Sequence, residues 1–143
     1  LFYNGIVPIH IKEMSQLRLS KMHGCHFWNT INSASAKRNG VSQEQIDALD
    51  DFENGPFNDA EKAALRFTSK LALTETRGEV DEALWDQMQE HFTDGQIAEL
   101  AVVMMFDVGW AKMLFTLDWA EKEPYCYYHP PEEQKEQEPT KKN

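Results

Sequence analysis

Positive charge is scarce in this chain. Fourteen lysines and arginines stand against twenty-four aspartates and glutamates, a net charge of −10 with the histidines neutral, and the isoelectric point lies near 4.9. Without a basic stripe to neutralise phosphates, nucleic acid is excluded as a partner, and so is docking on an anionic membrane surface. Cysteine is scarcer still. Cys25 and Cys126 are too few and too far apart for a disulfide framework, which points to a reducing, cytoplasmic setting. No apolar run approaches the ~20 residues of a membrane span. The opening LFYNGIVPIHI lacks a basic n-region and a cleavage site, so no secretory signal is expected. The first residue is Leu1 and not Met, so whether the native start is included stays open. Period-two alternation, a glycine-rich phosphate loop and internal repeats are missing as well.

What is present is helical patterning. Hydrophobic residues make up 41% of the 143 and aromatics 11%, enough to build one packed domain with a real core. The fold class is all-α: a helical domain over residues 1–123, followed over 124–143 by an aromatic segment and a charged, solvated tail. Pro8 suits the start of a first helix over 9–22, whose apolar positions run so far round the wheel that it must be largely buried. His10, Glu13 and Ser20 fall within about 80° of one another on it, at ~100° per residue.

A second helix is expected over 25–39, with Gly40 as its left-handed terminal residue and Lys37 and Arg38 at the negative end of its dipole. Phe27, Ile31 and Ala34 read as its core side; Cys25, Trp28, Asn29, Asn32 and Ala36 read as the other. Three capping boxes, Ser42 with Gln45, Asn58 with Glu61 and Thr93 with Gln96, open helices to about residues 51, 74 and 121. A further amphipathic helix covers 81–92. The segment from 94 is apolar nearly all round, as in a helix wrapped by its own domain or by a neighbouring subunit. Asp107, Lys112 and Asp118 interrupt it.

Residues 13–40, EMSQLRLSKMHGCHFWNTINSASAKRNG, concentrate the chemistry. They read as helix–turn–helix around Gly24-Cys25, with Cys25 at the second helix's N-terminus, where free N–H groups and the dipole favour a thiolate. His23 and His26 flank it and would support a thiolate if protonated. The plain alternative is a small buried hydrophobe. Glu13, a carboxylate in an apolar helix, is either a proton carrier with a raised pKa or one half of a salt bridge to Lys12, Arg18 or another subunit. Asp107 is a second candidate carboxylate. No ligand spacing supports a metal, and no cofactor is expected. The tryptophans Trp85, Trp110 and Trp119 read as core.

Glu13, Arg18, Ser20, Gly24 and Cys25, spaced E-x4-R-x-S-x3-G-C, resemble the alkyl hydroperoxidase D-like / carboxymuconolactone decarboxylase family. The segments at 60–67 (AEKAALRF) and 92–100 (FTDGQIAEL) continue the likeness, which spans roughly residues 8–120. It implies an all-helical domain that assembles as homotrimers or hexamers, with a dimer as a further option. In the family's redox branch the pattern is E…C-x-x-C-x3-H. Glu13 matches the glutamate and Cys25 the first cysteine, but Trp28 stands at the second cysteine and Asn32 at the histidine. The local disulfide of the dithiol route therefore has no partner here.

Three functions follow from the resemblance. The first is a small-molecule enzyme that decarboxylates or isomerises an organic acid or lactone by acid–base chemistry. Its proton carriers would be Glu13 with His10 or His26, with Trp28 shaping the pocket and Asn32 orienting the substrate. The second is a single-cysteine peroxidase or redox sensor at Cys25, resolved by an outside thiol or Cys126. The third is a catalytically silent oligomeric binding protein.

Overall fold

The computed structural model describes residues 1–75 and 77–117, apart from the side chains of His26 and Phe27. Within them the chain is all-helical: α1 (Ile9–Met22), α2 (His26–Arg38), α3 (Gln43–Ala48) running into a short 3-10 turn (Leu49–Asp51), α4 (Asp59–Leu71), α5 (Glu82–His91) and α6 (Asp94–Leu117). The expected continuation of α6 past residue 117, the charged tail, Cys126 and Trp119 lie outside the described residues.

The caps sit where local chemistry demands them. Ser42 and Asn58 each accept from the backbone N–H three residues on, while Gln45 and Glu61 reach back to the cap's own N–H. Thr93 and Gln96 make the same exchange ahead of α6. Met14, Leu17, Leu49, Leu65, Met88, Leu100 and Met104 form the centre of the core, each essentially sealed from solvent. α1 is the central strut, packed on α2, α4 and α6.

Two glycines make the turns that place the site. Gly24 (φ 68) and Gly40 (φ 94) are left-handed, which costs an L-residue roughly 1–2 kcal/mol. At each, a pair of backbone bonds closes the preceding helix: Cys25 N–H to Ser20 C=O with Gly24 N–H to Lys21 C=O, and Val41 N–H to Ala36 C=O with Gly40 N–H to Lys37 C=O. This is the Schellman arrangement. At the first of them the residue that completes the motif, Cys25, is also the N-cap of α2.

α2 is turned differently from its apolar pattern. Ile31 is 46% exposed and Ala34 is exposed, whereas Cys25, Asn32 and Ala36 are buried. The polar residues face α1 because α1 offers them hydrogen-bond partners, and a satisfied polar contact can be buried. Phe27, the remaining member of the expected core side, lies outside the described side chains.

α6 is not wrapped all round. Ile97, Leu100, Val103 and Met104 are buried, but Val102, Met105, Phe106 and Trp110 are exposed, as is Trp85 on α5. Two of the three tryptophans expected in the core, Trp85 and Trp110, are thus at the surface. α6 is also long and apolar enough to cross a bilayer by length and composition, which corrects the expectation of no such stretch. In this fold it packs on α1, α4 and α5. Its Glu99 makes a 2.5 Å ion pair with Lys12, whose side chain is fully buried. Lys12 also donates to the carbonyls of Leu1 and Phe2, and Glu99 accepts from the N–H groups of Ile6 and Val7. This clasp holds the N-terminal arm, residues 1–7, against the helices.

Candidate functional site

Two adjoining cavities open where α1, α2 and α6 meet. The smaller, about 50 Å³, is bounded by His23, Cys25, Trp28, Trp110 and Phe115. That is room for water or a molecule of similar size. The larger is a groove of about 610 Å³ between the N-terminal arm, α2 and α6, within the usual range for small-molecule sites. Gln16, Asn32 and Asp107 line both and form the wall between them.

That wall is polar and cross-linked. Asn32 Nδ2 donates to Ser20 Oγ at 3.2 Å, and Ser20 Oγ donates to the Gln16 carbonyl at 3.0 Å. Gln16 Nε2 donates to Asp107 Oδ1 at 3.4 Å. Asp107 Oδ2 is buried with no hydrogen-bond partner among the described residues. Burial pushes the Asp107 carboxyl up to about 6; the Gln16 bond opposes this and the negative charge of Glu13 adds to it. Asp107 is therefore a carboxyl able to give or take a proton near neutral pH, with an unsatisfied oxygen at the boundary of two cavities.

Glu13 stands behind this wall and lines neither cavity. Its side chain is fully buried. Ser35 Oγ and Asn39 Nδ2 both donate to Glu13 Oε1 at 2.7 Å, while Oε2 has no hydrogen-bond partner among the described residues. Neither Lys12 nor Arg18 is its partner. Lys12 pairs with Glu99; Arg18 donates to the Leu49 carbonyl and to Ser69 Oγ and lies over the Phe52 ring.

Cys25, Trp28 and Asn32 are brought together at the small cavity, but Glu13 and Cys25 are not. Ser35, which binds Glu13, lies ten residues beyond Cys25 on α2, about 15 Å at the helical rise. Glu13 and Cys25 therefore occupy separate places on one helix–helix interface. His10 lies apart from both, its Nε2 3.9 Å from Glu61 Oε1 on α4. The His26 side chain is outside the described residues. His23 accepts from the Leu73 N–H at Nε2, and burial lowers it to about 4. A neutral imidazole at pH 7 supplies no positive charge to a Cys25 thiolate, contrary to the role expected of it.

Asp107 was visible in the sequence as a charge interrupting an apolar helix. Gln16, Ser35 and Arg38 carried no comparable signal, since their importance depends on what α2 and α6 set beside them. Among the described residues no cluster of three metal-ligating side chains occurs.

No family model matches the chain. The chain is similar to the uncharacterized protein YdfG of Bacillus subtilis (strain 168), 25% identical over 103 residues, covering 71% of this chain and 69% of that protein.

Proposed function

We propose that this protein is a small-molecule enzyme working by acid–base chemistry, with Asp107 as the proton carrier and the groove as the substrate site. The observation that carries it is the buried, unpartnered Oδ2 of a carboxyl held near pKa 6 at the groove wall. A general base or acid is most effective when its pKa lies near the working pH. The ionised carboxylate takes a proton from a carbon next to a carbonyl. The acid so formed returns it at another carbon, which completes an isomerisation. In a decarboxylation Asp107 starts in its acid form, protonated from solvent, and protonates the carbanion left when CO2 departs. Asn32 and Gln16 orient the substrate carbonyl, and Glu13 acts through its charge on Asp107.

The resemblance to the alkyl hydroperoxidase D-like / carboxymuconolactone decarboxylase family supplies the substrate class, an organic acid or lactone. It also supplies the expectation of a homo-oligomer, and the scarcity of cysteine that of a reducing, cytoplasmic compartment. The test is turnover of a panel of lactones and unsaturated organic acids, read as CO2 release or deuterium uptake from solvent. Asp107→Asn removes turnover while Cys25→Ser keeps it. Full activity in Asp107→Asn would overturn the proposal.

A second reading, peroxide reduction at Cys25, is favoured by one observation. Cys25 caps α2 and borders a cavity of peroxide size. Peroxide consumption lost in Cys25→Ser and kept in Asp107→Asn would select it. Turnover of neither organic acids nor peroxide by the unaltered chain would leave a silent binding protein.

A further inference from the structure

Among the described residues that line the groove, one cationic side chain stands without a described partner. Arg38 lines the groove from the last turn of α2, and no hydrogen bond or ion pair joins Arg38 to another described residue. The remaining lining is mostly apolar, with Phe2 and Tyr3 of the arm facing Ile31, Val102 and Phe106. Asn32 and Arg38 are six residues apart on one helix, about 9 Å at the helical rise. A guanidinium and the Asp107 carboxyl thus line one apolar groove, Arg38 lying that distance along α2 from Asn32, which shares the wall with Asp107.

We infer that the groove binds an amphipathic monocarboxylate of medium length, its carboxylate on Arg38 and its apolar body against Ile31, Val102 and Phe106. The far end of the ligand then meets Asp107 and Asn32. This rests on the isomerisation route of the proposed acid–base function and names the substrate class of that site. The carboxylate on Arg38 is an anchor and does not react, so a monocarboxylate held this way loses no CO2. Arg38 is the specificity-determining residue, because a guanidinium pairs with a carboxylate through two parallel N–H···O bonds. One cationic side chain among the described lining residues favours a monoanion over a phosphate dianion here. Asp107 lines the same groove, Glu13 lies behind it, and the chain carries −10 overall, so further negative charge is repelled.

The experiment is calorimetric titration of the full chain at neutral pH with octanoate and with octanamide, its neutral match. Octanoate binds on the order of tenfold more tightly. Arg38→Gln erases that preference, Arg38→Lys keeps part of it, and Val102→Trp, which fills the groove from an exposed position, weakens both ligands. Equal affinity for the two ligands in the unaltered chain, or a preference that survives Arg38→Gln, overturns the inference. So does sedimentation showing an assembly that Val102→Trp dissociates and octanoate does not enter, since a second copy then fills the groove. Asp107→Asn separates this result from the proposed function. It binds octanoate at least as tightly, having lost a like charge, whether or not turnover depends on Asp107.

Discussion

Asn32 of α2 and Ser20 of α1 share a hydrogen bond of 3.2 Å across the helix interface, and that bond fixes which face of α2 the site receives. With Asn32 turned inward, Ser35 and Asn39 follow at helical spacing and reach Glu13, while Ile31 is turned out to the groove. Amide and hydroxyl groups at 32, 35 and 39 make the polar part of this helix contact.

Glu13→Gln removes a negative charge near Asp107. Since that charge helps raise the Asp107 carboxyl, the variant titrates at lower pH. The acidic limb of the activity profile moves down from about 6, and the Asp107 carboxyl carbon followed by NMR moves with it. An unmoved titration would show that the two carboxylates are not coupled.

Asp107→Asn also changes stability, with a definite sign. The folded-state value is raised from 3.8 to about 6, so the folded protein holds this proton more tightly than the unfolded chain. That contribution is fully present below about 3.8 and is lost as pH rises through 6. The difference in unfolding free energy between the variant and the parent therefore grows in the variant's favour across this window. It reaches at most about 3 kcal/mol above pH 7. Urea denaturation at several pH values measures it.

Breaking the Lys12–Glu99 pair is costly from either side. Glu99→Gln leaves a fully buried ammonium without its counter-charge, a loss of roughly 3–5 kcal/mol. The double variant Lys12→Met, Glu99→Leu recovers much of it. Burial raises the Glu99 carboxyl, but the Lys12 ammonium and the Ile6 and Val7 N–H groups outweigh that and hold it at about 2. The pair's contribution is thus present above about 4.5 and is lost as pH falls toward 2. Thermal melts down that range detect the loss, which Lys12→Met, Glu99→Leu lacks.

Cys25 is 3% exposed and its neighbour His23 is neutral at pH 7. Alkylation at Cys25, mapped by mass spectrometry to keep it separate from Cys126, is slower in the native chain than in a denatured sample. Cys25→Ser leaves organic-acid turnover within about threefold, since it removes no proton carrier. Fast alkylation at neutral pH would point to an activated thiol instead.

Signals carried by neighbouring residues were legible in the sequence. The Ser42, Asn58 and Thr93 caps and the glycines at 24 and 40 each act on backbone groups within a few residues, so spacing alone reveals them. The rotation of α2 was not. Hydrophobicity favoured Phe27, Ile31 and Ala34 as the inner face. The outcome turned on donors at 32, 35 and 39 meeting acceptors on α1, and no local pattern encodes a partner on another helix. The buried Lys12 was illegible for the same reason, its counter-charge lying 87 positions away at Glu99. Asp107 was half legible: its presence in an apolar helix marked it, but its place on the cavity wall came only with the fold.

The junction of α1 and α2 carries a further consequence. His23, Gly24 and Cys25 are the whole of the connection, and the last of them already belongs to the next helix's cap. One residue inserted in the first turn of α2 would turn the helix beyond it by about 100°, swinging the amide and hydroxyl row away from Glu13 and bringing Ile31 round in its place. Length changes in this lineage should accumulate in the connection over 72–81 and be purged from the hinge at 23–25, where the chain has no slack to absorb them.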